Sequence, residues 1–252
     1  MGDDWWKPQN LAENEAKHRN SRNVDVINAF GSYRVMVETD QPKKAQISQH
    51  NDMRPSYRTR LVKKLIGPLQ IGSILDVGCG IGITTESLRE VFKSTSVTGI
   101  DISRDAIKYA TSKHRECNFI CDSIDPESRK TYGFFDLICA FEFYPFTRTS
   151  DYETHKSYIE YLVSFLKPEG RLVIWQRWDN QESLSTNFDK IQNELTDYQF
   201  SSFRLPLTIV AKIFPFGYRV NILISRFVRV GLILLRISNR DIGTSHCLII
   251  SR

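Results

Sequence analysis

The stretch Ile74-Leu75-Asp76-Val77-Gly78-Cys79-Gly80-Ile81-Gly82-Ile83-Thr84-Thr85 decides how the rest of the chain is read. Residues 74–77 are a short apolar run carrying one carboxylate, the pattern of a buried strand. Gly78, Gly80 and Gly82 at alternate positions then make a tight turn, and 84–92 has helical character. A strand, a glycine turn and a helix start bring backbone N–H groups close to a ligand. The spacing is not that of the dinucleotide fingerprint, which sets its third small residue three positions after the second. Here that position holds Ile83. The pattern present is Asp-x-Gly-x-Gly-x-Gly on the same kind of scaffold.

Working outward, the next segments repeat the strand–helix alternation. Residues 96–100 read as a strand ending in Asp101, and Ser103 is a good N-cap for a helix at 104–113. A third strand at 118–121 ends in Asp122. The fourth, 135–141, is mostly apolar, as a strand covered on both faces should be, and runs into Glu142. A helix at 158–166, a turn at Pro168-Glu169-Gly170 and a fifth strand at 171–175 follow. Upstream, 57–66 is helical, with Leu61, Val62, Leu65 and Ile66 on one face and Arg54, Arg58, Arg60, Lys63 and Lys64 assigned to the others. Pro55 opens that helix and Gly67-Pro68 closes it.

This order predicts an α/β fold: a Rossmann-like, mostly parallel sheet with helices on both faces, plus helical N-terminal and C-terminal lid segments. The leader or lid spans 1–54 and the core 55–178. Residues 179–252 form a C-terminal helical cap (a helix at 184–195) and a final sheet strand at 245–251, within the same domain. A surface helix is expected at 10–22.

Composition excludes little. The chain has 252 residues, 41% hydrophobic and 25% charged, with a net charge of +5, which suits a globular domain with a mildly basic surface. Five cysteines without any C-x-x-C pair offer neither a zinc-ligand spacing nor a disulfide framework, so no metal is expected and reduced thiols in the cytoplasm are the simpler reading. The first residues are acidic and lack an apolar signal core. Residues 205–237 are strongly apolar, but cations interrupt them too often for a bilayer span. On a helix over 219–237, Arg219, Arg226, Arg229 and Arg236 fall within an arc of about 100°. That basic amphipathic segment caps the core or touches a membrane surface.

Acids recur at the carboxyl ends of successive strands: Asp76, Asp101, Asp122 and Glu142. In a doubly wound sheet these ends line one edge, where ligands bind. Asp101 comes 19 residues after Gly82, the place from which a carboxylate accepts the hydroxyls of a ribose. Asp122 is placed to accept the exocyclic amine of adenine. A ligand with ribose and adenine but no pyrophosphate explains the absence of the dinucleotide spacing.

Four motifs in order, Ile-Leu-Asp-Val-Gly-Cys-Gly-Ile-Gly, Val-Thr-Gly-Ile-Asp-Ile-Ser, Phe-Ile-Cys-Asp-Ser-Ile and Phe-Asp-Leu-Ile-Cys-Ala-Phe-Glu, resemble the class I S-adenosylmethionine-dependent methyltransferases. Leu-Lys-Pro-Glu-Gly-Arg-Leu-Val-Ile is similar to the fifth-strand segment of that family. The resemblance covers about 55–178 and the last strand. It implies S-adenosylmethionine as cofactor, with Asp76, Gly78, Cys79, Gly80 and Gly82 holding its methionine part. It further implies Asp101 on the ribose, Ile102 against the adenine, and Asp122 on the adenine amine with Ser123 and Ile124 beside it. Phe141 and Glu142 are then next to the sulfonium and the transferred methyl.

The acceptor side is less defined. Many small-molecule relatives carry His four residues after the Glu142 position, where this chain has Phe146, so no catalytic base is named. His155, in the loop before a helix, and His50 are weak candidates, and a solvated surface His is the plainer reading of His155. The run Glu142-Phe143-Tyr144-Pro145-Phe146 lacks the Asn/Asp-Pro-Pro-aromatic pattern of enzymes that methylate nucleic-acid amines. Tyr144, Arg148 and Arg177, with Trp178, are the candidate acceptor residues. The expected reaction is methyl transfer to a small molecule, on oxygen. The alternatives are a lipid-linked or glycan (cell-surface polysaccharide) intermediate at a membrane surface, an RNA, and a non-catalytic binder. No basic run interleaved with stacking aromatics supports nucleic acid.

Overall fold

The computed structural model of the chain describes residues 55–94, 96–128, 130–147, 150–177, 184, 187–206 and 244–251. The leader with the helix expected at 10–22 and His50, the basic segment at 219–237, Arg148 and Trp178 lie outside the described residues. Seven strands form one sheet: β1 Ser73–Val77, β2 Ser96–Asp101, β3 Asn118–Cys121, β4 Phe135–Phe141, β5 Leu166–Arg177, β6 Gln199–Pro206 and β7 Thr244–Ser251. Their order is β3-β2-β1-β4-β5-β7-β6. β1 pairs in parallel with both β2 and β4, so the strand order reverses there and opens a crevice at the carboxyl ends. β7 is antiparallel to β5 and to β6.

The helices are α1 Pro55–Leu65, α2 Ile83–Phe92, α3 Arg104–Lys113, α4 Tyr144–Thr147, α5 Tyr152–Ser164 and α6 Phe188–Glu194. Alternate residues of the central strands face opposite layers, as the two-residue period requires. Ile74, Leu137, Cys139, Val173, Trp175, Cys247 and Ile249 pack with Leu61 and Val62 of α1 and Leu88 of α2. Leu75, Ile138, Ala140, Leu172, Ile174, Leu248 and Ile250 pack with Ile159, Leu162 and Val163 of α5 and with Ile191 of α6. Both faces are thus removed from water, which is what holds a parallel sheet together.

The ends of the elements follow local chemistry. Ser103 caps α3, its hydroxyl accepting the Ala106 N–H at 3.3 Å. Asp151 caps α5 by accepting the Thr154 N–H at 2.8 Å. That cap starts the helix at Tyr152, six residues before the expected start at 158.

Three further expectations are corrected. β6 takes the place of irregular or helical chain, and Leu205 and Pro206 belong to it rather than to the apolar segment that follows. β6 pairs along its full length with β7, so tertiary pairing, not its own polar pattern, makes it a strand. The fifth strand begins at Leu166, which pairs with Phe135, before a register shift at the expected Pro168–Gly170 turn. The helix near 184–195 is the shorter α6.

Candidate functional site

The glycine turn is stitched to the end of β2. The N–H groups of Gly78 and Cys79 both donate to the Ile100 carbonyl, at 2.8 and 3.1 Å. Gly78 sits at φ 71°, in the left-handed region that glycine enters without penalty. Its missing side chain matters as well, because a Cβ there would lie 3.0 Å from the ring of Phe143. The turn therefore brings the start of α2 up against the chain that leaves β4.

Asp101 completes the corner. Its Oδ2 accepts the Gly80 N–H at 2.8 Å and its Oδ1 accepts the Ser103 N–H at 2.8 Å. A carboxylate offers about four lone-pair sites, so each oxygen keeps one open. Two acceptor sites side by side at a strand end suit a vicinal diol. Burial raises the Asp101 carboxyl above its ordinary value, against the opposing pull of the two N–H groups. Asp122 is adjacent, its N–H donating to the Asp101 carbonyl at 3.1 Å.

Asp76 lies underneath rather than on the rim. It is 2% exposed, between α1 and α2, and Oδ2 accepts the Thr85 hydroxyl at 2.7 Å. Burial pushes its carboxyl up to about 7, opposed by Thr85 and by the positive charge of Arg58 and reinforced by Asp101. Burial likewise raises the Cys79 thiol well above its ordinary value, with Asp101 and Asp76 adding to the effect, so this sulfur is a neutral packing group.

At the other side of the crevice Glu142 leaves β4 at φ 53°, and its N–H donates to the Trp175 carbonyl at 2.8 Å. A non-glycine residue held in the left-handed region is a place where strain collects beside a site. Phe143 then meets Phe146 and Tyr158, each at 5.9 Å between ring centres.

The residues expected from sequence are distributed as follows. The glycine turn, Asp101, Ile102, Asp122 and Glu142 meet along the carboxyl edge of the sheet, the first four around the ends of β1, β2 and β3. Ser123 and Ile124 are buried beside Asp122, and Phe141 packs inward, its ring edge-on to Trp175. Tyr144 stands in α4 and Arg177 ends β5. Two readings change. Arg58 is buried with its guanidinium 5.0 Å from the Phe141 ring centre, instead of on a solvent face. His155 is in the first turn of α5, fully buried, with Nδ1 3.1 Å from Asn187 Nδ2, instead of solvated in a loop. Sequence reasoning passed over Thr85, Lys130, Tyr132 and Phe143. Arg58 and His155 had a signal, since each stands three and four residues before apolar positions of its helix.

Residues 74–170 match the family model described as "Methyltransferase domain". Over that stretch the chain is similar to methyltransferases. The chain is 29% identical over 108 residues to the malonyl-[acyl-carrier protein] O-methyltransferase 2 of Ilyobacter polytropus, covering 41% of this chain and 39% of that protein. It is 24% identical over 185 residues to the mitochondrial ubiquinone biosynthesis O-methyltransferase of Dictyostelium discoideum, covering 68% of this chain and 48% of that one. The chain thus spans less than half the length of either relative. Its fold is similar to that of the plantazolicin methyltransferase BpumL in complex with SAH, with a TM-score of 0.55, 18% identity and coverage of 91% and 97% of the two chains. It is also similar to the N-methyltransferase NodS of Bradyrhizobium japonicum in complex with S-adenosyl-L-homocysteine, with a TM-score of 0.53, 18% identity and coverage of 88% and 97%. Among the described residues no group of acids, histidines and cysteines is arranged to hold a metal ion, and no helix is long and apolar enough to cross a membrane.

Proposed function

We propose that the protein transfers the methyl group of S-adenosylmethionine to an oxygen of a small-molecule acceptor. The observation that carries the cofactor part is Asp101, fixed by the Gly80 and Ser103 N–H groups with one acceptor site open on each oxygen. The preference for oxygen is supported by the names of two sequence relatives, a malonyl-[acyl-carrier protein] O-methyltransferase and a ubiquinone biosynthesis O-methyltransferase.

In this reading Asp101 holds the ribose, Asp122 the adenine edge, and the glycine turn the methionine part. S-adenosylmethionine supplies a methyl group on a positively charged sulfur, ready for in-line displacement. The protein's own task is then to align the acceptor and to keep water out. Phe143, backed by the buried Phe146 and Tyr158, puts an aromatic ring at the end of β4. In this reading Glu142, at the strained end of β4, sets its carboxylate toward the sulfonium charge. Tyr144, the first residue of α4, and Arg177, the last of β5, are the proposed acceptor residues.

The test is transfer of labelled methyl from S-adenosylmethionine to a panel of carboxylic acids, phenols and amines, with products resolved by mass spectrometry. Methyl esters or ethers support the reading. Exclusive N-methyl products would overturn the oxygen preference, and no turnover with any acceptor by protein that binds the cofactor would favour a non-catalytic binder.

A further inference from the structure

The two acids at the ends of β2 and β3 differ in how far their acceptor capacity is used. Asp101 keeps two lone-pair sites open. Asp122 is more fully engaged. Its Oδ1 accepts the Ser123 N–H at 2.9 Å and the Lys130 ammonium at 2.8 Å, while Oδ2 accepts the same ammonium at 2.8 Å and the Tyr132 hydroxyl at 3.3 Å. The Lys130 ammonium donates to both oxygens, the Ser123 N–H to one, and the single Tyr132 proton is shared with the nearer Ser123 carbonyl. An amine arriving at Asp122 therefore competes with the ammonium for either oxygen.

The donors are not equally easy to move. Ser123 is buried and its N–H belongs to the main chain next to Asp122. Tyr132 shares its one hydroxyl proton between Asp122 and the Ser123 carbonyl, the latter at 3.0 Å, and packs edge-on against Phe165. Lys130 is different: its side chain is 50% exposed, on a flexible stem, and its ammonium recovers full hydration when it leaves. Ion pairs of this exposure contribute little net stability, so the exchange costs little.

We propose that Lys130 is a displaceable plug on Asp122, released when the 6-amino group of the cofactor's adenine takes its place. This rests on the assignment of S-adenosylmethionine as cofactor. The plug serves base discrimination. A 6-amino group satisfies the vacated carboxylate, whereas a 6-oxo group meets it with a second acceptor and leaves Lys130 in place. It also keeps Asp122 ionised before the cofactor arrives: burial raises this carboxyl, but Lys130 and the other donors outweigh that and hold it below its ordinary value.

The experiment is calorimetric titration of the wild-type protein and Lys130→Met with S-adenosylhomocysteine and with its inosine analogue. Both probes have no net charge, so removal of a cation does not by itself attract them. Lys130→Met is expected to bind S-adenosylhomocysteine roughly two- to fivefold more tightly, the value of a surface ion pair no longer broken. The inosine analogue gains nothing. In the wild-type protein, added sodium chloride is expected to strengthen S-adenosylhomocysteine binding by screening the pair that must be opened. Unchanged or weaker binding of S-adenosylhomocysteine by the variant, an equal gain for both probes, or no salt effect in the wild type would overturn the plug. Absence of S-adenosylhomocysteine binding by the wild-type protein would overturn the cofactor assignment itself, and the plug with it.

Discussion

The Phe143 ring lies 3.0 Å from the point where a side chain on Gly78 would begin. Gly78 is the first glycine of the turn after β1, and Phe143 is the second residue past the end of β4. The contact joins the ends of the two strands, β1 and β4, at which the order of the sheet reverses. One residue must be bare there for the other to seat.

Gly78→Ala should therefore act on both stability and binding. The left-handed backbone costs a residue with a Cβ about 1–2 kcal/mol. The new methyl group also presses on a ring held between Phe146 and Tyr158. Urea denaturation should show a loss of at least that size, and S-adenosylhomocysteine should bind more weakly. A variant as stable as the wild type would remove Phe143 from its assigned place over the turn.

The buried carboxyl of Asp76 makes stability depend on pH in a defined direction. Its folded value of about 7 lies above the unfolded value of about 3.9, so the folded protein binds the extra proton between them. This contribution is complete below the unfolded value and is lost as pH rises through 7. Asp76→Asn keeps an acceptor for Thr85 and removes the charge. Relative to the variant, the wild type should lose roughly 2–3 kcal/mol between pH 5 and pH 8. Parallel pH profiles of the two proteins in chemical denaturation would show that the carboxyl is ionised throughout.

Asn187 ties α5 to α6. Its Nδ2 donates to the Ser150 carbonyl at 2.6 Å and lies 3.1 Å from Nδ1 of the buried His155. Asn187→Ala leaves both partners short of a hydrogen bond and should destabilise the fold by about 1–3 kcal/mol. The effect belongs to folding, so cofactor affinity below the melting transition should change little. A large loss of affinity at unchanged melting temperature would instead put this pair in the binding site.

Much of the architecture was legible because the parallel strands are local events. Strands β1 to β4 and helices α2 and α3 are set by apolar runs, glycine and capping residues within a few positions of each element. β6 was not legible, since Gln199-Phe200-Ser201-Ser202 becomes a strand only by pairing with β7, over forty residues away in the chain. Arg58 and His155 misled for the opposite reason. Their polarity suggested solvent, while their spacing from Leu61 and Val62, and from Tyr158 and Ile159, put them on the buried faces of α1 and α5. For the site, the motif marked Asp101 and Asp122 alike. Only the fold reveals that one keeps two open acceptor sites and the other has Lys130 on both oxygens, with Tyr132 beside it, because those donors reach Asp122 from the chain between β3 and β4.

The central claim is that the carboxyl edge of the sheet seats an adenosyl group through Asp101. Calorimetric titration of wild-type protein and Asp101→Ala with S-adenosylhomocysteine tests it most directly. The account predicts that the wild type binds and that the variant binds at least about tenfold more weakly, since two hydrogen bonds to a charged group are lost. Equal affinity in the two proteins, or uptake of a nicotinamide dinucleotide in its stead, would contradict it.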